Sequence, residues 1–271
     1  MIKIKYSQKK VKFIPPKSVK KKKKERIEVK TIAEIPAKPK ELKIIHCLFG
    51  DLKLKDGRTN KAHYGAAKAL RSYGAKNHIH MVMEEDNKRF LMEKGLDEKN
   101  IIYDKSSPKI KPGVSVTWFY KTYLLYVASQ VFSEYSILYL DYDCKLRRKI
   151  DKKDLLDRLE ANKKSIQCPP VRYRRRIFTN FNSRPQNWGV QCCLVYWEDP
   201  SIVKKWFDNY ISMDTRNDEQ VLFITLEQLF GPLSVDSIYD FDTTIIQTVR
   251  RPKESKRYNA NNYKDAYFSH R

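Results

Sequence analysis

Long apolar runs, paired cysteines, glycine-rich loops and acidic charge are all scarce in this 271-residue chain. No segment approaches the ~18 consecutive apolar residues that a membrane-spanning helix requires. The N-terminus is charged from Lys3 and has no apolar core of the kind a secretory leader carries, so export is not expected. The five cysteines (Cys47, Cys144, Cys168, Cys192 and Cys193) form no C-x-x-C pair and show no zinc-like spacing with the five histidines. Their odd number reads as reduced thiols inside a cell, which points to a cytoplasmic protein. Only 8 glycines are present, and no glycine-rich phosphate loop follows the first apolar strand.

Positive charge and order-forming residues are abundant. The chain holds 55 Lys+Arg against 32 Asp+Glu, a formal +23, with 41% hydrophobic and 12% aromatic residues. Residues 1–43 alone contain 16 Lys+Arg and 4 Asp+Glu, a net +12, so about half of the excess sits in a short N-terminal arm. Such a balance attracts polyanions: nucleic acid, an anionic membrane surface or an acidic glycan. Lysine used freely for solubility would give the same count. Residues 1–41 contain Pro15, Pro16, Pro36, Pro39 and the run Lys20–Lys24 without a sustained apolar period, and they read as an arm.

From Leu42 the pattern alternates between strands and helices. Strands are expected over 42–50, 78–84, 100–104, 135–144, 165–170 and 190–197. Helices are expected from a cap at Asn60 to Tyr73, from a cap at Asp86 to Gly95, over 116–132, over 151–164 capped by Asp151, from Asp199-Pro200 to Ile211, and from Asn217 or Asp218 to Leu229. This alternation predicts one α/β domain over 42–271 with a mostly parallel central sheet covered on both faces. Ligands in such sheets bind at the carboxyl ends of the strands. The histidines at 46, 63, 78 and 80 read as strand or surface residues rather than metal ligands.

Asp141 and Asp143 stand at one such carboxyl end, directly after the apolar run ILYL. On an extended chain, side chains two apart share a face, so the two carboxylates are expected to converge. Two hard oxygen donors there suit Mg²⁺ or Mn²⁺, which can clamp a diphosphate. Two surface aspartates at a strand end are the bland alternative.

The segment WFYKTYLLYVASQVFSEYSILYLDYDC resembles the aromatic-Lys helix and D-x-D strand of the GT-A glycosyltransferases, notably glycosyltransferase family 8. The resemblance spans about residues 42 to 230. It implies a Rossmann-like nucleotide-diphospho-sugar transferase fold, with a UDP-sugar as donor and Mn²⁺ or Mg²⁺ as cofactor. Asp141 would hold the metal or the donor ribose, and Asp143 would be the firmer metal ligand. The first strand, LKIIHCLFGD, resembles the uridine-binding strand, which sets His46, Cys47 and Phe49 near the base. NWGVQCCLVYW resembles the family's N-x-G-v strand, where Gly189 admits donor and acceptor. NDEQVLFITLEQL resembles the acidic helix start that sets Asp218 or Glu219 near the acceptor hydroxyl. His270 is the C-terminal candidate for a third metal ligand. Trp188 departs from the family pattern, which has a small residue there.

Between the two strands preceding and following it, VRYRRRIFTNFNSRPQNW sets Arg172, Arg174, Arg175 and Arg176 among Tyr173, Phe178, Phe181 and Trp188. Guanidinium forks grip phosphates and aromatic rings stack on bases. Together with the +23 charge, this loop points to DNA bearing a hydroxymethylated base as acceptor, as in phage DNA-modifying enzymes, with the base turned out of the duplex. A solvated basic loop, or arginines on the donor diphosphate or an acidic glycan, would look the same. Alternatives of other kinds are transfer to polysaccharide, lipopolysaccharide or protein with peripheral membrane contact, and a non-catalytic basic DNA-binding protein. A nucleotidyltransferase also uses paired aspartates, but the missing glycine-rich loop speaks against it.

Overall fold

The computed structural model describes residues 41–231 apart from 54–55, 73, 107, 109–115, 162–164, 170–171, 174–175, 178–189, 191 and 214–216, together with 246–248 and 267–270. The basic arm therefore lies outside the described residues. No helix among those described is long and apolar enough to cross a membrane.

The central sheet is built from β1 (Leu42–Leu48), β2 (Ile79–Val82), β3 (Ile101–Tyr103), β4 (Ser136–Leu140), β6 (Ile166–Gln167) and β9 (Leu194–Trp197), in the order β3-β2-β1-β4-β9-β6. Each of β1, β4 and β9 is an almost unbroken apolar run, as strands covered on both faces must be. The first four strands in that order run parallel, joined in sequence by α1 (Lys61–Ser72), α2 (Glu85–Glu93) and α3 (Val116–Val131). The predicted α/β domain with a mostly parallel sheet is therefore present. β9, however, runs antiparallel to both β4 and β6. A parallel partner needs a crossover, usually a helix, and no helix is described between β6 and β9.

Local signals explain most element ends. Asn60 Oδ1 accepts from the Ala62 amide at 3.1 Å, which starts α1, and Gly74 at φ 66° follows its end. Asp151 Oδ1 accepts from the Lys153 and Asp154 amides and opens α4 (Lys152–Ala161). Asp199 caps α5 (Pro200–Ser212), with Pro200 at the first helical position. The cap of α6 (Asp218–Phe230) is Asn217, whose Oδ1 accepts from the Glu219 and Gln220 amides. α2 departs from expectation: Asp86 lies within its first turn, and the cap position is Glu84, which makes no capping side-chain bond to it.

Side-chain alternation along β1 and β2 sorts the residues to two faces. Cys47 and Met81 join the core cluster that includes Phe119, Leu124, Tyr139, Trp206 and Phe223 from α3, β4, α5 and α6. Phe207 of α5 stacks on Tyr126 of α3 at 5.1 Å between ring centroids. On the other face a smaller cluster gathers Leu48, Val82, Leu70 and Tyr142 beneath α1 and α2. Gly65 permits that approach: a Cβ there would lie 3.3 Å from the Cβ of Tyr142.

Two small sheets are also described. β7 (Arg172–Tyr173) and β8 (Arg176–Ile177) pair antiparallel. β5 (Lys145–Leu146), β11 (Phe268–His270) and β10 (Ile246–Thr248) form the other, with β11 antiparallel to β5.

Candidate active site

β4 delivers its last residue, Leu140, into a turn closed by the Cys144 amide donating to the Asp141 carbonyl at 3.0 Å. The extended-chain argument for Asp141 and Asp143 is therefore corrected: the backbone turns between them, and Tyr142 is buried while Asp143 is exposed. The carboxylates remain electrostatic neighbours. Burial raises the pKa of Asp141 most, the Lys121 charge lowers it, and the Asp143 charge raises it again.

Lys121 organises this end of the sheet. It projects from α3 with its side chain only 9% exposed, and its ammonium lies 3.5 Å from Asp141 Oδ2 and 3.2 Å from Asp218 Oδ2. Burial disfavours its charge, but Asp141 and Asp218 outweigh burial and hold its pKa well above the ordinary lysine range. The Tyr139 hydroxyl donates to Asp141 Oδ1, and the Tyr139 ring lies under the ammonium at 5.3 Å. Asp218 is buried, and its Oδ2 makes no hydrogen bond among the described residues, so the Lys121 ion pair carries its compensation. The start of α6 is fixed by the Asn217 cap and by Trp206 Nε1, which donates to the Asp218 carbonyl at 3.2 Å.

Glu219 stands beside this ion-pair cluster. Its Oε1 accepts from the Cys192 amide at 3.3 Å, at the entrance to β9. Burial and then the Asp218 charge push its carboxyl up to about 7. Helix N-termini ordinarily favour carboxylates, so desolvation wins here over the helix dipole. A carboxyl poised near neutrality inside a cluster of fixed charge has the properties of a proton acceptor or donor.

The antiparallel direction of β9 is what joins these groups. Asp141 donates its amide to the Cys193 carbonyl at 2.8 Å, so the amino end of β9 lies against the carboxyl end of β4. Asp141, Asp218, Glu219 and the Cys192 amide thus meet at one edge, with Lys121 reaching in from α3.

The remaining predicted site residues are distributed as follows. Phe49 is half-buried at the end of β1. Cys47 is buried, and burial pushes its thiol well up. His46 is buried in a stacked layer with His78, His80 and Tyr142. Its Nδ1–H donates to the Leu140 carbonyl at 2.9 Å, which leaves Nε2 to accept from His78 Nδ1–H at 2.9 Å. His80 Nε2–H donates to the Ala75 carbonyl, and Tyr142 donates its hydroxyl to His80 Nδ1. The histidines read as strand or surface residues are thus all buried, and burial lowers His78 to about 3 and His80 to about 4. Arg172 and Arg176 lie in β7 and β8, while Arg174, Arg175, Trp188 and Gly189 lie outside the described residues. His270 ends β11, whose register on β5 pairs Phe268 with Leu146 and Ser269 with Lys145. The strand therefore runs toward the Asp143 turn as it reaches His270.

Lys121 is the residue of the site that sequence reasoning missed as a participant. Its signal is a lone cation within the aromatic and apolar run WFYKTYLLYV of α3.

The chemistry of the donor set fits a divalent cation in part. Among the described residues no group of three His, Cys, Asp or Glu side chains could hold a metal. Mg²⁺-type sites commonly use one or two carboxylates and complete their shell with substrate phosphates and water. Asp143, exposed beside the partly exposed Asp141, meets that requirement.

No family model and no curated protein sequence matches the chain. Solved structures share its outline. A glycosyltransferase involved in glycosylation of the major capsid of PBCV-1 is 14% identical, with a TM-score of 0.48 over 84% of this chain and 91% of that one. Galactosyltransferase LgtC, in complex with donor and acceptor sugar analogues, is 14% identical, with a TM-score of 0.47 over 84% and 86%. Mouse xyloside xylosyltransferase 1 is 13% identical, with a TM-score of 0.43 over 85% and 97%. Likeness at this level bears on neither the activity nor the substrate of this chain.

Proposed function

We propose that the chain is a GT-A-type glycosyltransferase that moves a sugar from a nucleotide donor, a UDP-sugar, to a hydroxyl acceptor. The observation that carries this reading is the charge cluster at the carboxyl end of β4. There an exposed Asp143 stands beside Asp141, which is tied through buried Lys121 to Asp218, with Glu219 held at about 7 next to it.

In this reading Asp141 and Asp143 hold Mg²⁺ or Mn²⁺ against the donor diphosphate, and the direction of β11 supports His270 as a further ligand. The cation, when bound, neutralises charge on the departing nucleoside diphosphate. Lys121 keeps Asp141 in place and adds fixed positive charge where negative charge accumulates. Glu219 accepts the proton of the acceptor hydroxyl, for which a pKa near the working pH is favourable. Phe49 and the turn after β1 face the nucleoside, with His46 and Cys47 supporting that strand from within. The acceptor in this reading is a hydroxymethylated base in DNA. The +23 charge and the arginines at 172, 174, 175 and 176 support it, with Trp188 and Gly189 proposed as acceptor contacts from the sequence resemblance alone.

The test is UDP release from a panel of UDP-sugars with Mn²⁺, with and without DNA containing 5-hydroxymethyl pyrimidines. Release that DNA stimulates and EDTA abolishes supports both donor and acceptor. Metal-dependent release indifferent to DNA removes the DNA acceptor, and absence of release with every donor removes the UDP-sugar transferase. Replacing Glu219 with Gln is expected to lower turnover by roughly 10²- to 10⁴-fold, the range of a general base.

A further inference from the structure

A second concave site is lined by residues outside the carboxylate cluster. The segment that follows the Asp143 turn folds back toward the amino end of β2 and encloses a cavity of about 510 Å³ with Gly74, Asn77 and His78. Its wall carries Arg147, Arg148, Lys149 and Lys152, and among the described residues no carboxylate belongs to the lining. His78 immediately precedes β2, whereas Asp141 and Asp143 follow the carboxyl end of β4, a strand parallel to β1 and β2. The strands are staggered, however: Ile45 pairs with both Ile79 and Tyr139, so the amino end of β2 lies level with the carboxyl end of β4, and the two sites are distinguished by their residues.

Four cations that share a concave wall repel one another and focus a positive potential into it. One of them is already oriented. The Arg148 guanidinium stacks on Tyr267 at 3.8 Å from the ring centroid, donates to Asp154 Oδ2 at 3.2 Å, and keeps a buried Nε with no hydrogen-bond partner among the described residues. The Lys152 charge reaches His78 strongly enough to help depress its pKa, after burial and the neighbouring His80. The amino end of α4 is closed by Asp151, so the site depends on side chains rather than on free helix amides. A volume of this size lies in the range of small-molecule sites.

We infer that this cavity binds a small, multiply phosphorylated molecule whose charge is met by Arg147, Arg148, Lys149 and Lys152. The site stands independently of the transferase reading, since none of these residues belongs to the β4 cluster. Arginine forks suit bidentate contact with phosphate, and lysines add point charge around it.

Sodium tripolyphosphate is the probe, titrated into the full chain by calorimetry in EDTA. Saturable binding at one site is expected, retained by Asp143→Asn. Arg147→Gln combined with Lys149→Gln should weaken it at least about tenfold, the loss that accompanies removal of a charge-assisted contact. Both residues are exposed, so the fold should tolerate the change, which circular dichroism checks. Lys94→Gln with Lys205→Gln removes the same charge from exposed positions elsewhere and should leave affinity within twofold or so. Equal weakening by both pairs, or no saturable binding, would overturn the inference. So would tighter binding, at matched phosphate, of duplex DNA or phosphatidylserine vesicles that the Arg147/Lys149 pair weakens.

Discussion

The buried histidine layer makes the native state sensitive to mild acid, and the size of the effect follows from its pKa shifts. His78 and His80 are held to about 3 and about 4, below the 6.5 of an unfolded chain. Below pH 6.5 the unfolded chain therefore binds protons that the native rings refuse, and stability falls as pH falls. Between pH 7 and 5 each ring costs roughly 2 kcal/mol, about 4 kcal/mol for the pair. His46, pushed well down by burial and by the neighbouring histidines, acts in the same direction. Glu219 has the opposite sign. Its carboxyl is raised from 4.5 to about 7, so the native chain takes up that proton first and regains roughly 2 kcal/mol over the same interval. Asp141, also raised, works with Glu219.

The perturbation is thus acidification from pH 7 to 5 in the wild-type chain and in Glu219→Gln, with urea unfolding followed by circular dichroism. The variant should lose about 4 kcal/mol and the wild type roughly 2 kcal/mol less than that, against typical domain stabilities of about 5–15 kcal/mol. A Glu219→Gln chain equally stable at both pH values would refute the reasoning. Nitrogen-15 shifts showing His78 and His80 protonated in the native chain at pH 5 would do the same.

Other outcomes follow from the same contacts. Lys121→Met should destabilise by about 3–5 kcal/mol by leaving Asp141 and Asp218 without their buried cation, read by urea unfolding at pH 7. Asn217→Ala should cost about 1 kcal/mol through the lost cap, and donor turnover should fall as well because the cap sets the start of α6. Gly65→Ala gains roughly 1 kcal/mol of helix propensity but pushes its new methyl against Tyr142. Its net stability should therefore change little, while the Mn²⁺ concentration needed for half-maximal UDP release rises.

Much of the architecture was legible in the residues. β4 and its two aspartates stand out because the run ILYL is followed at once by charge. Asp199-Pro200 and Asn217 mark helix starts through capping chemistry that is local by nature. The direction of β9 was less accessible, because a strand's apolar period is the same in either orientation. The usable clue was topological: no helical pattern separates 165–170 from 190–197. Lys121 was overlooked because cations on helices usually face water, and its burial is explained by contacts distant in sequence, with Asp141 and with Asp218. His46 and His80 do lie in strands, as expected, but the burial of all four histidines was not legible for a related reason. Their partners are the Leu140 and Ala75 carbonyls and Tyr142, none of which periodicity reveals.

The reversed course of β9 also bears on the order in which the protein can be made. β1 through β4 form a parallel unit that is complete once residue 140 has been synthesised. Until β9 and the start of α6 emerge, Lys121 has Asp141 but not Asp218, and the Asp141 amide lacks the Cys193 carbonyl. A nascent chain halted before residue 218 would hold all six strands of the central sheet but only the Lys121–Asp141 half of the charge cluster. Completion of the charge cluster therefore waits for α6, the last of the described helices.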